Sequence, residues 1–367
     1  MSNAIEKVKN AIKSIEDKDF TLYFFVIDSK GAPMGSLAYV YETAKHLFDL
    51  GYNVKMLHAE SDFVGVETWL GKDYASLPHY NIEKDRENIP LGADDFVFVP
   101  EVYANVMSKL KSAPSKTVAI LQNFGYATEV IPLGASWDDL KVRDCITTTE
   151  NLKEHLHSVM PNINTKIVRP SVPDYFFNDN KAKKLIINVV TKNQADYNQI
   201  VKPFHWKYPM YSWVAFRNVA NIERHEFANV LDESFATIWS DTNTDFGHAA
   251  LEAMASGNIV IGKVPENIPD WMLDENGNLA NNGVWFFKNS DSQDAIASVI
   301  QSFITNSVPK ELLDNARETA KRYISEYQNN DIEKVFSELF EQRKKELEIV
   351  LSILEKQEAN KEEKTEE

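Results

Sequence analysis

The sequence predicts an α/β fold of two successive Rossmann-like, doubly wound domains. Short β-rich runs alternate with amphipathic helical segments along most of the 367 residues, which is typical of parallel sheets covered by helices. The length favours two domains, and a hydrophobic content of 43% is enough for two cores. We therefore expect an N-terminal domain at 1–170, a second domain at 171–329, and a C-terminal helix with an acidic tail at 330–367.

The first domain is predicted from the alternation of β-rich runs and helical segments, which begins with the apolar run LYFFVI. Its helix at 36–50 ends before Gly51, a residue type that often follows a helix because it tolerates left-handed backbone. The predicted strands are 22–27, 53–58, 96–99, 117–121, 145–149 and 166–169. The other predicted helices are 102–111 and 151–159.

The second domain begins after two prolines in the segment 169–173, which mark a boundary. The predicted strands are 185–190, 212–216, 235–239 and 258–262, and the helices are 197–207, 224–231, 248–255 and 291–305. Four tryptophans of this half are expected to pack in the core or between domains: Trp206, Trp213, Trp239 and Trp285.

Charge and cysteine content narrow the classes of function. The formal net charge is −16, and residues 221–280 alone hold eleven acids against two bases. Such an acidic field repels phosphate backbones, so general nucleic-acid binding is disfavoured. The single cysteine, Cys145, excludes an intramolecular disulfide, and no apolar run is long enough for a transmembrane segment. The N-terminus lacks the apolar core of a signal peptide, and we expect a cytoplasmic protein.

The loop at 28–36 (DSKGAPMGS) joins the first predicted strand to the first helix. Ligands of open α/β sheets collect at this position, and Gly31 and Gly35 would let a substrate approach the backbone. The glycine spacing matches neither a dinucleotide fingerprint nor a P-loop. The alternative is an ordinary turn in which Ser36 caps the helix.

The segment 239–257 (WSDTNTDFGHAALEAMASG) carries the densest signal. A strand ends, a polar loop follows, and Gly247 opens a short helix that Gly257 closes. The helix N-terminus suits a diphosphate, because it presents N–H groups and a partial positive charge. His248 and Glu252 lie on one helical face, and a carboxylate at 252 suits the vicinal hydroxyls of a ribose. The alternative for Glu252 is a solvent-facing residue on a surface helix.

The stretch 235–271 resembles the nucleotide-sugar site of GT-B glycosyltransferases, especially the retaining family four. Phe246-Gly247 and the segment 251–257 (LEAMASG) match the family pattern, and the first strand–loop–helix unit and the segment 167–176 are also similar. The resemblance implies two Rossmann-like domains facing a cleft. It also implies transfer of a sugar from a nucleotide-sugar to a carbohydrate or related acceptor, with retention and without a metal or other cofactor.

The resemblance assigns residues to a donor side and an acceptor side. Lys192 and Asp245 are the expected catalytic residues, with Lys192 on the diphosphate and Lys202 as a second candidate. Gln122 and Asn123 stand where the family often has a histidine, and their amides either bind sugar hydroxyls or cap the strand end. The donor-side residues are Gly35, Lys192, Thr244, Asp245, Phe246, Gly247, His248 and Glu252, and the acceptor-side residues are Ser36, Gln122 and Asn123.

One departure from the family pattern leaves two other functions open. The first acid of the family's paired glutamates falls at Thr244, and the adjacent Asp245 would have to replace it. A non-catalytic subunit that binds a nucleotide-sugar or carbohydrate is therefore an alternative. A phage-type glycosyltransferase acting on a modified DNA base is another, although the acidic charge opposes it.

Overall fold

The computed structural model describes residues 2–178, 182–191, 194–240 and 246–366, and its strands form two parallel sheets. The first sheet has seven strands in the order β3-β2-β1-β4-β5-β6-β7. They are β1 (Thr21–Phe25), β2 (Asn53–His58), β3 (His79–Asn81), β4 (Phe96–Pro100), β5 (Lys116–Leu121), β6 (Asp144–Thr147) and β7 (Asn164–Ile167).

The second sheet has five strands, again all parallel, in the order β12-β11-β10-β8-β9. They are β8 (Lys184–Val190), β9 (Ala215–Val219), β10 (Ser234–Trp239), β11 (Ile259–Lys263) and β12 (Val284–Phe286). Each sheet therefore contains a point where the strand order reverses, between β1 and β4 in the first and between β8 and β10 in the second. Such switch points are where open α/β sheets bind ligands.

Helices cover both faces of both sheets. In the first half they are α1 (Ser2–Asp17), α2 (Gly35–Asp49), α3 (Ala104–Leu110), α4 (Phe124–Val130) and α5 (Glu150–Val159). The remaining helices are α6 (Gln194–Lys207), α7 (Arg224–Glu233), α8 (His248–Ala255), α9 (Ser292–Ile304), α10 (Lys310–Lys321) and α11 (Ser325–Glu366). Across the described ranges, no helix combines the length and apolar character that a membrane span requires.

Strand β1 shows how a short sequence builds two core layers. Its five residues are all buried, and alternate side chains point to opposite faces of the sheet. Leu22 and Phe24 join the cluster that includes α2 and α11, whereas Tyr23 and Phe25 join the cluster on the other face. A continuous apolar run is thus the pattern of a strand covered on both sides.

The C-terminal helix α11 completes the core of the first sheet, although the second sheet precedes it in the chain. Phe336 and Phe340 of α11 pack among the phenylalanines of β1 and β4 and against Phe20. The ring centroids of Phe98 and Phe336 are 5.0 Å apart, and those of Phe20 and Phe340 are 4.8 Å apart. The chain therefore passes from the first half to the second and returns to the first through α11. The predicted domain limits stay a prediction.

The structure agrees with most of the predicted elements. The three-residue strands β3 and β12 were not predicted, since three residues show no usable periodicity. Helices α1, α4 and α10 were also missed. Strand β9 begins at Ala215, three residues later than expected, and α11 begins at Ser325, before the expected start at 330.

The expectation that four tryptophans are packing residues is wrong for two of them. Trp239 is buried and Trp285 packs against its cluster, but Trp206 is 77% exposed and Trp213 is 63% exposed. Phe204 takes the inner face of α6, and residues two apart on a helix do not share a face. Trp206 therefore points away from the core.

The packing of α11 predicts a large effect of Phe336→Ala on stability. Phe336 is fully buried, and removing its ring leaves a cavity between α11 and the first sheet. We expect the free energy of unfolding to fall by about 3–5 kcal/mol in denaturant titrations. The exposed Phe287 is the matched control, and Phe287→Ala should change stability by no more than about 0.5 kcal/mol. Equal losses in both variants would contradict the packing described for α11.

Candidate active site

A cleft of about 1170 Å³ lies between the two sheets at the carboxyl ends of their strands. Its first wall is formed by loops that follow β1, β4 and β5, and by the start of α2. Its second wall is formed by residues that follow β8, β9, β10 and β11, and by the starts of α7 and α8. The cleft therefore includes both switch points, where helix N-termini and strand ends converge.

The start of α8 is held in the second wall by two tryptophans. Gly247 is the N-cap with φ +81°, and a Cβ there would lie 2.7 Å from Cζ2 of Trp239. The indole Nε1 of Trp271 donates a 2.6 Å hydrogen bond to the carbonyl of Phe246. Gly247 has no side chain with which to cap the helix, and the first turn of α8, with its partial positive charge, lies at the cleft. The prediction that Gly247 opens a helix here is confirmed.

Glu252 belongs to a buried group of three charges rather than standing alone in the cleft. Its Oε1 accepts a 2.9 Å hydrogen bond from Nε of Arg224, and Nη2 of the same guanidinium lies 2.9 Å from Oε1 as an ion pair. The Nη1 of Arg224 donates to Oε1 of Glu42, which lies on α2 in the first half of the chain. The exposed fractions of the three side chains are 7% for Glu252, 9% for Arg224 and 10% for Glu42.

Burial and neighbouring charges shift the pKa values in this group, and the result is that Arg224 stays protonated. Burial acts to lower the pKa of Arg224, but the carboxylates of Glu42 and Glu252 hold it above its ordinary value. Burial raises the pKa of Glu42, and Arg224 opposes that rise. Arg224 therefore remains protonated between two acids, one from each half of the molecule.

His248 lies where α8 meets α2 across the cleft. Its Nε2 is buried and has no hydrogen-bond partner among the described residues. Burial, with Arg224 as a second cause, lowers the pKa of His248 to about 3. A Cβ on Gly35 would lie 2.8 Å from Nδ1 of His248, so a glycine at 35 lets the two helix starts approach each other. His248 is therefore neutral at ordinary pH.

The first wall presents polar but uncharged groups together with one acid. The Nε2 of Gln122 donates a 3.0 Å hydrogen bond to the carbonyl of Ser36. The side chain of Asn123 caps α4 by accepting a hydrogen bond from the backbone N–H of Tyr126. The backbone N–H of Asn123 donates to Oε1 of Glu101 at 2.9 Å. Glu101 is buried and lines the cleft. Both amides thus have structural partners at the cleft wall.

Known proteins with this arrangement were found by sequence and by structure. No protein-family model matches the chain. An alpha-1,6-glucosyltransferase of Actinobacillus pleuropneumoniae serotype 7 is 21% identical over 341 residues, which cover 88% of this chain and 96% of the relative.

Solved structures align over both sheets and the cleft between them. HepE of Anabaena, solved with UDP-glucose, superposes with a TM-score of 0.63 at 12% identity, covering 87% of this chain and 99% of HepE. An alpha-glucosyltransferase solved with UDP and a DNA containing an HMU base superposes with a TM-score of 0.57 at 13% identity, covering 88% and 98%. The chain has the GT-B fold. The predicted fold class, two Rossmann-like domains facing a cleft, is confirmed.

Within this GT-B cleft, most of the residues predicted from the sequence come together. Phe246, Gly247, His248 and Glu252 line the second wall, and Gly35, Ser36, Gln122 and Asn123 line the first. Lys192, Thr244 and Asp245 lie outside the described residues, and their roles stay predictions. Gly35 was assigned to the donor side, and it sits on the first wall in contact with the second.

The alternative in which Ser36 caps the first helix is wrong. Met34 occupies the N-cap position of α2, and Ser36 is the second residue of the helix. The thioether of Met34 offers no oxygen to the helix, and no side chain caps it. The helix therefore begins at Gly35, one residue earlier than predicted, and Gly35 is the residue that lies against His248.

Four residues of the site were missed by the sequence reasoning. Glu101 and Arg224 were given no role, and Glu42 was one of two acids on the predicted helix 36–50. Lys263 ends β11 and lines the cleft, directly after the predicted strand 258–262. The rule that ligands gather at strand ends would have found Lys263, whereas no local pattern indicates that residues 42 and 224 are paired.

The lowered pKa of His248 predicts a change in how stability depends on pH. The folded protein does not bind the proton until about pH 3, whereas an unfolded histidine binds it near pH 6.5. This contribution to stability is therefore complete above pH 6.5 and is lost as the pH falls below it. By pH 5 the loss is about 2 kcal/mol relative to pH 8.

We expect His248→Gln to remove that part of the pH dependence in denaturant titrations between pH 8 and pH 5. The exposed His157 supplies the control, and His157→Gln should keep the wild-type pH dependence. A wild-type slope that persists in His248→Gln would show that residue 248 titrates normally.

Proposed function

We propose that this GT-B protein is a glycosyltransferase that transfers a sugar from a nucleotide-sugar to a carbohydrate hydroxyl. The single observation that carries the proposal is the cleft between the two sheets. A helix N-terminus and a cleft-lining carboxylate face a wall of hydrogen-bonding groups that includes no described lysine or arginine. Because GT-B structures of this shape were solved with UDP or UDP-glucose, we propose a UDP-sugar as the donor.

The donor is proposed to lie along the second wall. The start of α8 at Gly247 and the ammonium group of Lys263 would stabilise the diphosphate, and Lys192 is proposed to assist them. Oε1 of Glu252 already contacts Nε and Nη2 of Arg224, so Oε2 is the oxygen proposed for a ribose hydroxyl. Asp245 is proposed to contact the donor sugar in place of the family acid that Thr244 replaces.

The acceptor is proposed to approach along the first wall. No described residue that lines the cleft on the N-terminal side is a lysine or an arginine. Phosphate backbones are bound mainly by such cations, so a DNA acceptor is disfavoured. The amides of Gln122 and Asn123 and the carboxylate of Glu101 instead match the hydroxyl groups of a sugar.

The proposed reaction requires electrostatic stabilisation more than covalent chemistry. The bond between the anomeric carbon and the phosphate oxygen breaks with its electron pair passing to the diphosphate. The acceptor oxygen bonds to the anomeric carbon, and its proton passes to the departing diphosphate. Positive groups fixed around the diphosphate lower the barrier because they oppose the charge as it develops. Retention of configuration is proposed from the family resemblance, and the anomeric proton of the product would test it by NMR.

We also propose that the reaction needs no metal or other cofactor and takes place in the cytoplasm. Within the described ranges, no three His, Cys, Asp or Glu side chains are grouped so as to hold a metal ion. The helix N-terminus and the lysines are proposed to supply the positive charge at the diphosphate. Reactions with and without EDTA would test the proposal, with equal rates as the expected result.

Thermal unfolding with UDP, GDP, ADP and CDP tests the proposed donor class. A diphosphate at 100 times its dissociation constant adds about 2.7 kcal/mol to stability, which raises the melting temperature by roughly a few degrees. We expect UDP to give the largest shift. Absence of a shift with all four would remove the support for a donor site.

Release of UDP from UDP-sugars, measured with panels of glycans and of DNA carrying hydroxymethylated bases, tests transfer and the acceptor. We expect turnover with a glycan. Binding of UDP without turnover on any acceptor would favour the non-catalytic binding subunit that Thr244 makes conceivable. Turnover on the DNA alone would favour the phage-type enzyme.

Lys263→Ala is predicted to weaken UDP binding about tenfold, because one charge-assisted hydrogen bond to a phosphate contributes roughly 1.5 kcal/mol. Isothermal titration calorimetry at fixed salt measures the loss. Lys288 follows the neighbouring strand β12 and does not line the cleft, so Lys288→Ala is the matched control and should bind as wild type. Equal affinities of the two variants would place the diphosphate elsewhere.

A further inference from the structure

We propose that Arg224 is a positioning residue for the donor nucleotide. It holds one oxygen of Glu252 and ties that carboxylate to Glu42 on the opposite half of the molecule. The inference rests on the proposed function, because it assigns the ribose of the donor to Glu252. Arg224 does not itself contact the ribose in this scheme, and it acts through the carboxylate that it orients.

The contacts of Glu252 leave one oxygen for a ligand. Within the described part of the chain, Arg224 is the side-chain partner of this carboxylate, and both contacts run through Oε1. Nε donates a hydrogen bond to Oε1 and Nη2 lies 2.9 Å from the same oxygen, so the guanidinium holds Oε1 rather than Oε2. The pair fixes the plane of the carboxylate, so the orientation of Oε2 is set before any ligand arrives. Glu252 and Arg224 both line the cleft.

The link to Glu42 makes this orientation depend on how the two halves meet. Arg224 donates through Nη1 to Glu42, and its backbone N–H donates a 3.1 Å hydrogen bond to the carbonyl of Trp69. Both partners belong to the first half of the chain. Arg224 is thus held across the cleft by its side chain and its backbone, and it reaches Glu252 from that position.

The charge of the group argues for a function beyond stability. Two buried acids share one guanidinium, which gives the group a net charge of −1 when both are ionised. Buried ion pairs contribute little net stability, because desolvation offsets their attraction. Burial of the Glu42 carboxylate, which raises its pKa, is a further cost that Arg224 and the side chain of Gln328 only partly offset. A group whose only role were to join the halves would be better built from apolar residues.

Removing Arg224 should therefore change ribose recognition and not only affinity. Without the guanidinium, the carboxylates of Glu42 and Glu252 repel each other, and Glu252 loses its fixed orientation. A ligand that lacks a ribose hydroxyl loses nothing further in such a variant. The predicted signature is the loss of discrimination between UDP and 2′-deoxy-UDP.

The test compares the dissociation constants of UDP and 2′-deoxy-UDP by calorimetry. We expect the wild type to prefer UDP by tenfold or more and Arg224→Gln to prefer it by less than threefold. The control is Arg217→Gln, because Arg217 pairs at 2.6 Å with Glu233, at the far end of the helix that Arg224 begins. Arg217→Gln should keep the wild-type preference, since its pair lies outside the cleft lining.

The measured preference for UDP over 2′-deoxy-UDP distinguishes a positioning role of Arg224 from a structural one. Equal weakening of both nucleotides in Arg224→Gln, with the preference intact, would mean a purely structural role and would overturn the inference. A wild type that binds UDP without preferring it to 2′-deoxy-UDP would overturn the inference and leave the proposed function standing. A wild type that binds neither nucleotide would overturn both.

If Arg224→Gln does not fold, Arg224→Lys replaces it. The lysine keeps the positive charge but not the planar fork that contacts both acids. We expect its preference for UDP to fall at least threefold below that of the wild type. An unchanged preference in Arg224→Lys would overturn the inference.

Discussion

The buried contact of Arg224 with Glu42 and Glu252 is the interaction on which the shape of the cleft depends. It joins α2 of the first half to α7 and α8 of the second at the level of the cleft. Removing one member of such a group costs roughly 3–5 kcal/mol, because it leaves a buried charge without its partner. The two sheets are therefore held in an arrangement that keeps the carboxylate of Glu252 beside the first half of the chain.

Close approach of backbone is the second constraint on this arrangement. Gly247 adopts a positive φ beneath Trp239, and Gly35 leaves room for the imidazole of His248. Any side chain at either position would collide with an aromatic ring that is itself packed. The two helix starts consequently meet at the cleft, and their partial positive charges act on the same volume.

The cleft also differs in charge from the acidic molecule around it. The net charge of −16 disfavours polyanions in general, whereas the second wall combines a helix N-terminus with Lys263 and a paired arginine. A small diphosphate can be held by such local donors even on an acidic protein, because interactions between charges in a partly buried cleft are screened less than those on the surface. The first wall, whose described lining includes no lysine or arginine, then suits a sugar acceptor, which carries hydroxyl groups and no phosphate.

The sequence by itself determined the two parallel sheets and most of the helices, because strand and helix periodicities are local properties. It also located the start of α8, since glycine at a helix start and the pattern that follows it are contiguous. Only the tertiary structure paired Glu252 with Arg224, 28 residues away, and Arg224 with Glu42, 182 residues away. Nothing in the local pattern distinguishes these side chains from surface charges. Their pairing depends on burial between the two sheets, because a charged group that is removed from water is stable only beside a partner.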